Sequence, residues 1–258
     1  MANQNSERFS MLNDPDQTRQ DRAFSESMED YFGRSLGTHM DKLRHFTKFV
    51  PRQTLTTFLA KHALFQHVLP VHGHILECGV FLGGGLMTWA QLSAIYEPVN
   101  HLRRVAGFDT FTGFPKVHSK DRGRKSLSYL KKHALATNAY EDLQECVRLY
   151  DLNRPIGHIP RVELVVGNAC RTIPKYLKAN PHLVVAMLYL DFDLYEPTLV
   201  ALKTFLPRMP KGSVLAFDEL GQAPWPGETL AVLEAVGLRN LNIRRFPFAS
   251  ALSYAILQ

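Results

Sequence analysis

The sequence predicts an α/β fold of the Rossmann-like kind: a mainly parallel sheet, helices on both faces, and an antiparallel hairpin at the end. Three observations predict it. His74–Gly85 (HILECGVFLGGG) reads as a strand, a glycine turn and the start of a helix. Four more apolar runs follow, each separated from the next by a turn and a helical pattern, and such alternation implies parallel strands with crossover helices. The last two strand-like segments, Leu241–Phe248 and Ala251–Leu257, have only Ala249 and Ser250 between them. That gap holds no helix, so they pair antiparallel at the sheet edge.

Taken in order, residues 1–22 are polar and predict a disordered tail. Residues 23–70 mix apolar and charged positions and predict a helical cap, ending in a helix over Thr54–Leu69. Residues 71–258 form the main domain. Its strands are expected at Ile75–Val80, Val105–Phe111, Arg161–Gly167, Val184–Asp193 and Gly212–Leu220. The continuous apolar run of the fourth suits a strand buried on both faces. Helices are expected over Leu86–Tyr96, around Tyr140–Tyr150, up to Lys178, over Pro197–Met209 and over Glu228–Val236, with Gly237 as a C-cap. The stretch 115–150 is long for a connection and is expected to act as a lid-like insertion.

Composition narrows the class. The chain has 258 residues, 45% of them hydrophobic, which suits one α/β domain with an extension. No apolar run approaches the ~18 residues of a membrane span, and the start lacks a signal-peptide core. Three cysteines without metal-ligand spacing read as reduced thiols, and the expectation is a cytoplasmic protein. A net charge of +6 raises the question of nucleic acid. The densest basic run, Lys116–Lys132, has little aromatic interleaving, and a basic surface or a pocket for an anionic group fits better.

Acids cluster where such sheets bind ligands, beyond the carboxyl ends of the strands. Glu77 lies on the first strand, Asp109 ends the second, Asp191 and Asp193 end the fourth, and Asp218 and Glu219 end the fifth. Asp109, about 30 residues beyond the glycines, is placed to bind ribose hydroxyls. Asp191, Asp218 and Glu219 are expected to converge at the switch point of the sheet. Carboxylates packed together need a compensating cation or proton, and an all-oxygen set suits Mg²⁺. The glycine pattern is Gly79-x-x-x-Gly83-Gly84-Gly85 rather than G-x-G-x-x-G. With the terminal hairpin, it favours a class I methyltransferase sheet over an NAD-binding domain. The alternatives are an NAD-dependent oxidoreductase or epimerase, and a non-catalytic basic binding module.

Four motifs in order resemble the macrocin O-methyltransferase family (TylF, MycF and NovP type). They are Glu77-Cys78-Gly79-Val80-Phe81-Leu82-Gly83-Gly84, Asp109 to Pro115 (DTFTGFP), Leu190 to Thr198 (LDFDLYEPT) and Asp218-Glu219-Leu220. The resemblance implies an S-adenosylmethionine-dependent, Mg²⁺-assisted O-methyltransferase acting on a sugar or glycosylated small molecule. It implies that Glu77, Gly79, Val80, Gly83 and Gly84 hold the methionine part of the cofactor, Asp109 the ribose, and Thr110, Asn168 and Ala169 the adenine. Asp191, Asp218 and Glu219 would hold the metal, and Asp191 is the first choice of base, ahead of His39, His118 or His133. The resemblance also implies a homo-oligomer, since the family often assembles through its amino-terminal region. The chain departs from the family at Glu219, where the second acid of the pair is one methylene longer, and at Phe192, where a glycine is usual. Leu194 stands where catechol-type enzymes carry a lysine, so no lysine base is implied. The charge of the 116–132 loop, with Arg122, Arg124 and Lys125, would suit an anionic acceptor such as a nucleotide sugar.

Overall fold

The computed structural model describes residues 18–123 and 130–258. Contacts divide the chain into two compact units, one ending at Thr56 and the other running from Thr57 to Gln258. The first contains α1 (Arg19–Arg34) and α2 (His39–Arg44). Each opens with a Thr–Asp capping box, Thr18 with Asp21 and Thr38 with Asp41, which satisfies the amide hydrogens that a helix start leaves unpaired. Within this unit Phe49 is buried against Tyr31 and Phe32. Of the stretch 1–22 expected as a polar tail, residues 1–17 lie outside the described residues, and Arg19–Arg22 belong to α1.

The helix α3 (Arg52–Val68) leads into the main unit. There β1 (His74–Cys78), β2 (Val105–Asp109), β3 (Val162–Val166), β4 (Val185–Leu190), β5 (Val214–Phe217), β6 (Arg244–Phe246) and β7 (Ala249–Ile256) form one sheet. The order is β3-β2-β1-β4-β5-β7-β6. The first five strands pair in parallel, and β7 runs antiparallel to both β5 and β6. This is the class I methyltransferase sheet. The hairpin turns at Pro247–Phe248, not at Ala249–Ser250: Pro247 has no N–H to give a ladder, and Ala249 already pairs with Phe246 across a bulge.

The crossover helices are α4 (Gly84–Tyr96), α5 (Tyr140–Leu152), α6 (Ala169–Ala179), α7 (Tyr195–Phe205) and α8 (Pro226–Ala235). Strand periodicity of two sorts the core into two layers. Ile75, Met187, Tyr189 and Val214 meet Leu64 and Phe65 of α3 and Leu86 and Trp89 of α4. Leu76, Phe108, Leu188 and Phe217 meet Ile173 of α6, Leu202 and Phe205 of α7 and Val232 of α8. All six residues of β4 are buried, as its apolar run implies. Among the described residues the cysteines are unpaired, and no helix is long and apolar enough to cross a membrane.

His74 opens β1 with its Nδ1 accepting the Arg104 N–H at 3.0 Å. Burial, with the charges of Arg104 and His182, lowers its pKa from 6.5 to about 4. Protonation at Nδ1 would abolish that hydrogen bond. The unfolded chain takes up the proton first, so the stability this group contributes is complete above the unfolded pKa and is lost as pH falls towards the folded one. His74→Asn keeps an acceptor and does not titrate. Urea unfolding of the two proteins at about pH 7.5 and 5 should show wild type losing roughly 2 kcal/mol more than the variant.

Candidate active site

The site is built at the carboxyl ends of β1 and β4, where the strand order reverses. Gly79 leaves β1 with φ +103°, and a Cβ there would lie 1.8 Å from the Asp191 carbonyl oxygen. The Asp191 N–H donates to the Cys78 carbonyl at 2.8 Å, and the Gly79 N–H donates to the Phe108 carbonyl at 2.9 Å. The backbone of the glycine turn and that of the acidic segment are thus in direct contact. Gly83, at φ +85°, starts α4 and has Leu143 of α5 packed where a Cβ would go. Gly84 differs: a Cβ there would meet nothing within 4 Å. That open space sits at a helix amino terminus, a place suited to the negative part of a ligand.

Asp109 ends β2 and secures the turn. Its Oδ2 accepts the Val80 and Phe81 N–H groups at 2.7 and 2.9 Å, and its Oδ1 accepts the Phe111 N–H at 2.7 Å. A carboxylate has further lone pairs, so ribose hydroxyls are compatible with these bonds. The Thr110 hydroxyl donates to the Gly113 carbonyl and closes its own turn. Asn168 caps α6 by accepting the Cys170 N–H, and Ala169 is buried beneath it. The Gly167 N–H donates to the Asp109 carbonyl, which brings this cap beside Asp109.

Glu77 lies under the start of α4 and pairs in register with Tyr189 of β4. It is buried in an ion pair with Lys61 of α3 at 3.1 Å. The Lys61 ammonium also lies 4.1 Å from the Tyr189 ring centroid. Burial raises the Glu77 pKa, and the Lys61 charge opposes the rise. A Cβ on Gly85 would strike both side chains. Lys61 has a signal in the sequence: it is the charged member of the face Ala60, Lys61, Leu64, Phe65, Val68.

Asp191, Asp193 and Glu219 place carboxylate oxygens within 4.8 Å of one another. Asp191 and Glu219 meet as expected, and Asp193 joins them in place of Asp218. Asp218 stays beside the group: its charge adds to the rise in the Asp191 pKa, and its Oδ1 accepts the Tyr189 hydroxyl at 2.5 Å. Asp193 reaches the group from a left-handed backbone, φ +60°. Behind them Glu228 of α8 is fully buried and accepts the Glu219 N–H at 3.2 Å. Burial raises the pKa of Asp191, Glu219 and Glu228, and the neighbouring carboxylates add to the rise. Burial likewise lifts Asp193 to about 7. Glu219 Oε2 and Glu228 Oε2 are buried with no hydrogen-bond partner among the described residues. Orphaned oxygens amid mutual repulsion, in an all-oxygen set, fit a hard divalent cation.

The segment 115–123 docks on the starts of α7 and α8. Buried Asp121 accepts the Tyr195 and His118 N–H groups, each at 2.6 Å. Lys116 pairs with Glu196 at 3.2 Å, and Lys120 pairs with Glu234 at 3.0 Å. Two lysines of the basic run are therefore occupied, Arg122 is exposed, and Arg124 and Lys125 lie outside the described residues. His118 packs its ring against Tyr195, His133 holds the Thr112 carbonyl from an exposed turn, and His39 belongs to the amino-terminal unit.

Sheet order and site together define a class I S-adenosylmethionine-dependent methyltransferase. Residues 11–232 match the family model described as macrocin O-methyltransferase (TylF). The chain belongs to this family of O-methyltransferases. It is similar to the crystal structure of the calicheamicin methyltransferase CalS11, with 35% identity, 93% of each chain covered and a TM-score of 0.89. The apo structure of CalS11, described as a TDP-rhamnose 3′-O-methyltransferase, aligns at 33% identity and TM-score 0.80, over 93% of this chain and 95% of that one. The O-methyltransferase NovP shares the fold at 22% identity and TM-score 0.62, over 79% and 80%. No curated protein matches. Membership of the family sets aside both the oxidoreductase and the non-catalytic alternatives.

Two substitutions test the construction. Gly79→Ala should cost about 3 kcal/mol or more in chemical unfolding, because backbone on both sides resists the new carbon. Lys61→Met should cost about 3–5 kcal/mol by leaving Glu77 buried and unpaired, and adding Glu77→Leu should recover much of it. Simple additivity of the two losses would mean that the pair is not coupled.

Proposed function

We propose that the chain methylates a hydroxyl of a sugar carried on a nucleotide or a small molecule, with a divalent cation at the acidic group. The observation that carries this reading is the Gly79–Asp191 contact, which sets the cofactor turn and the carboxylates side by side. The similarity to CalS11 over nearly the whole chain supports a nucleotide-linked sugar as acceptor. Asp191 and Glu219, flanked by Asp193 and Asp218, would hold Mg²⁺. When bound, the cation lowers the pKa of the acceptor hydroxyl, and the cofactor supplies a methyl group already activated on sulfur.

The chain's own residues do the positioning. Val80, Gly83 and Gly84 shape the turn against which the methionine part lies, and Asp109 fixes that turn while facing the ribose. Asn168 and Ala169 at the start of α6 border the adenine side. The Asp191 carboxylate takes the hydroxyl proton as the oxygen attacks the methyl carbon and the methyl–sulfur bond breaks. Glu77, paired with Lys61, supports the turn from below. The charge of the basic run that includes Arg122, Arg124 and Lys125 would suit the diphosphate of the acceptor.

Calorimetric titration with S-adenosylhomocysteine tests the reading. Binding should be lost in Asp109→Ala and in Gly84→Ala, and the second variant should unfold like wild type because its Cβ meets no protein atom. A separate Mg²⁺ heat should disappear in Asp191→Asn and with EDTA. Cofactor binding without any metal response would keep the methyltransferase and remove the cation from it. With TDP-rhamnose as acceptor, neutralising Arg122, Arg124 and Lys125 should raise KM about tenfold with kcat unchanged. An unchanged KM would remove the basic loop from acceptor binding.

A further inference from the structure

A cavity of about 480 Å³ opens at the other end of the sheet. Its walls come from the segments that enter β1, β2 and β4 and from the end of α6. A five-residue strand separates the two ends by roughly 15 Å, so this cavity is distinct from the acidic site. Four histidines and two arginines line it, and no acid does. The volume falls within the ~300–1,000 Å³ of ligand sites.

The arginines and histidines divide into walls and donors. Arg103 is a wall: its buried guanidinium is held by Glu97 at 2.7 Å and by the carbonyls of Val68, Val71 and Gly73. His74 is fixed by the Arg104 N–H at its Nδ1, so its hydrogen sits on Nε2. The carboxylates that touch lining residues are occupied, Glu97 by Arg103 and Glu163 by the Tyr176 hydroxyl. The donors are the Arg104 guanidinium and the imidazoles of His72, His101 and His182. Among the described residues these four side chains make no hydrogen bond or ion pair. The imidazoles do not form a metal centre: among the described residues only the acidic triad brings three ligand atoms within 4.8 Å. Donors spread around a cavity match an extended anion with several oxygens rather than a single ion.

We propose that this cavity binds a polyphosphate anion, either free pyrophosphate or the diphosphate of a nucleotide, through Arg104, His72, His101 and His182. The site lies outside the methyl-transfer machinery and takes no part in the step above.

The experiment is calorimetric titration of the full chain, without divalent metal, using sodium pyrophosphate in one arm and a nucleoside diphosphate in the other. Imidazole proton resonances are followed in parallel. Saturable binding is expected, with shifts of the His72, His101 and His182 resonances. Arg104→Gln should weaken it about tenfold or more, while leaving S-adenosylhomocysteine binding intact. Arg104 is exposed, so the variant should fold, and the cofactor titration verifies that it does. Anion binding that Arg122→Gln weakens and Arg104→Gln spares belongs to the acceptor site of the proposed function, not to this cavity. Equal affinity in the two arms would identify free pyrophosphate as sufficient, and tighter binding of the nucleotide would identify a nucleotide diphosphate. No saturation below about 10 mM would overturn the proposal, as would affinity unchanged in Arg104→Gln or lost in Arg122→Gln instead.

Discussion

The site depends on the absence of one carbon atom. At Gly79 the carbonyl of Asp191 occupies the space a side chain would need, and the Cys78 carbonyl accepts the Asp191 N–H beside it. Strand pairing between β1 and β4 therefore continues past the ends of both strands. The glycine turn and the segment that bears the carboxylates cannot shift independently. Orientation is the main task of an enzyme whose methyl donor is already activated, and here it is carried by backbone rather than by mobile side chains.

Around that contact the molecule tolerates a concentration of negative charge that would otherwise oppose folding. Asp191, Asp193, Asp218, Glu219 and Glu228 share one buried region, and each relief available to them is local. Tyr189 donates to Asp218, the Glu219 N–H donates to Glu228, and burial favours the protonated forms of Asp191, Asp193, Glu219 and Glu228. Two buried oxygens still lack partners among the described residues. Such an arrangement stores the repulsion that a cation relieves. Glu77 of β1 is balanced by the Lys61 ammonium in a buried ion pair, without a cation.

The two ends of the sheet also differ in charge. The carboxyl ends carry the acids, and the amino ends carry Arg103, Arg104 and four histidines. The segment 115–123 adds a third environment, in which the lysines face glutamates of α7 and α8 and a buried aspartate caps α7. A net positive chain thus distributes its charge so that cations and anions are drawn to different places.

Much of this was legible in the chain itself. Alternating apolar runs and helical patterns determined the parallel sheet, because each periodicity buries only one kind of element. The short gap between the last two strands determined the hairpin, and the motif order determined the family. The glycines and Asp109, Asp191 and Glu219 could be placed at one end of the sheet, since each follows a strand. Tertiary structure decided the rest. It turned Glu77 towards Lys61, gave Asp218 to Tyr189, brought Asp193 into the triad through a left-handed backbone, and set Glu228 behind Glu219. It also gathered His72, His101, His182 and Arg104 around one cavity. The physical reason is the same throughout. Local pattern says which residues follow a strand, whereas the face a side chain takes and the partners it meets depend on register and on helices distant in sequence.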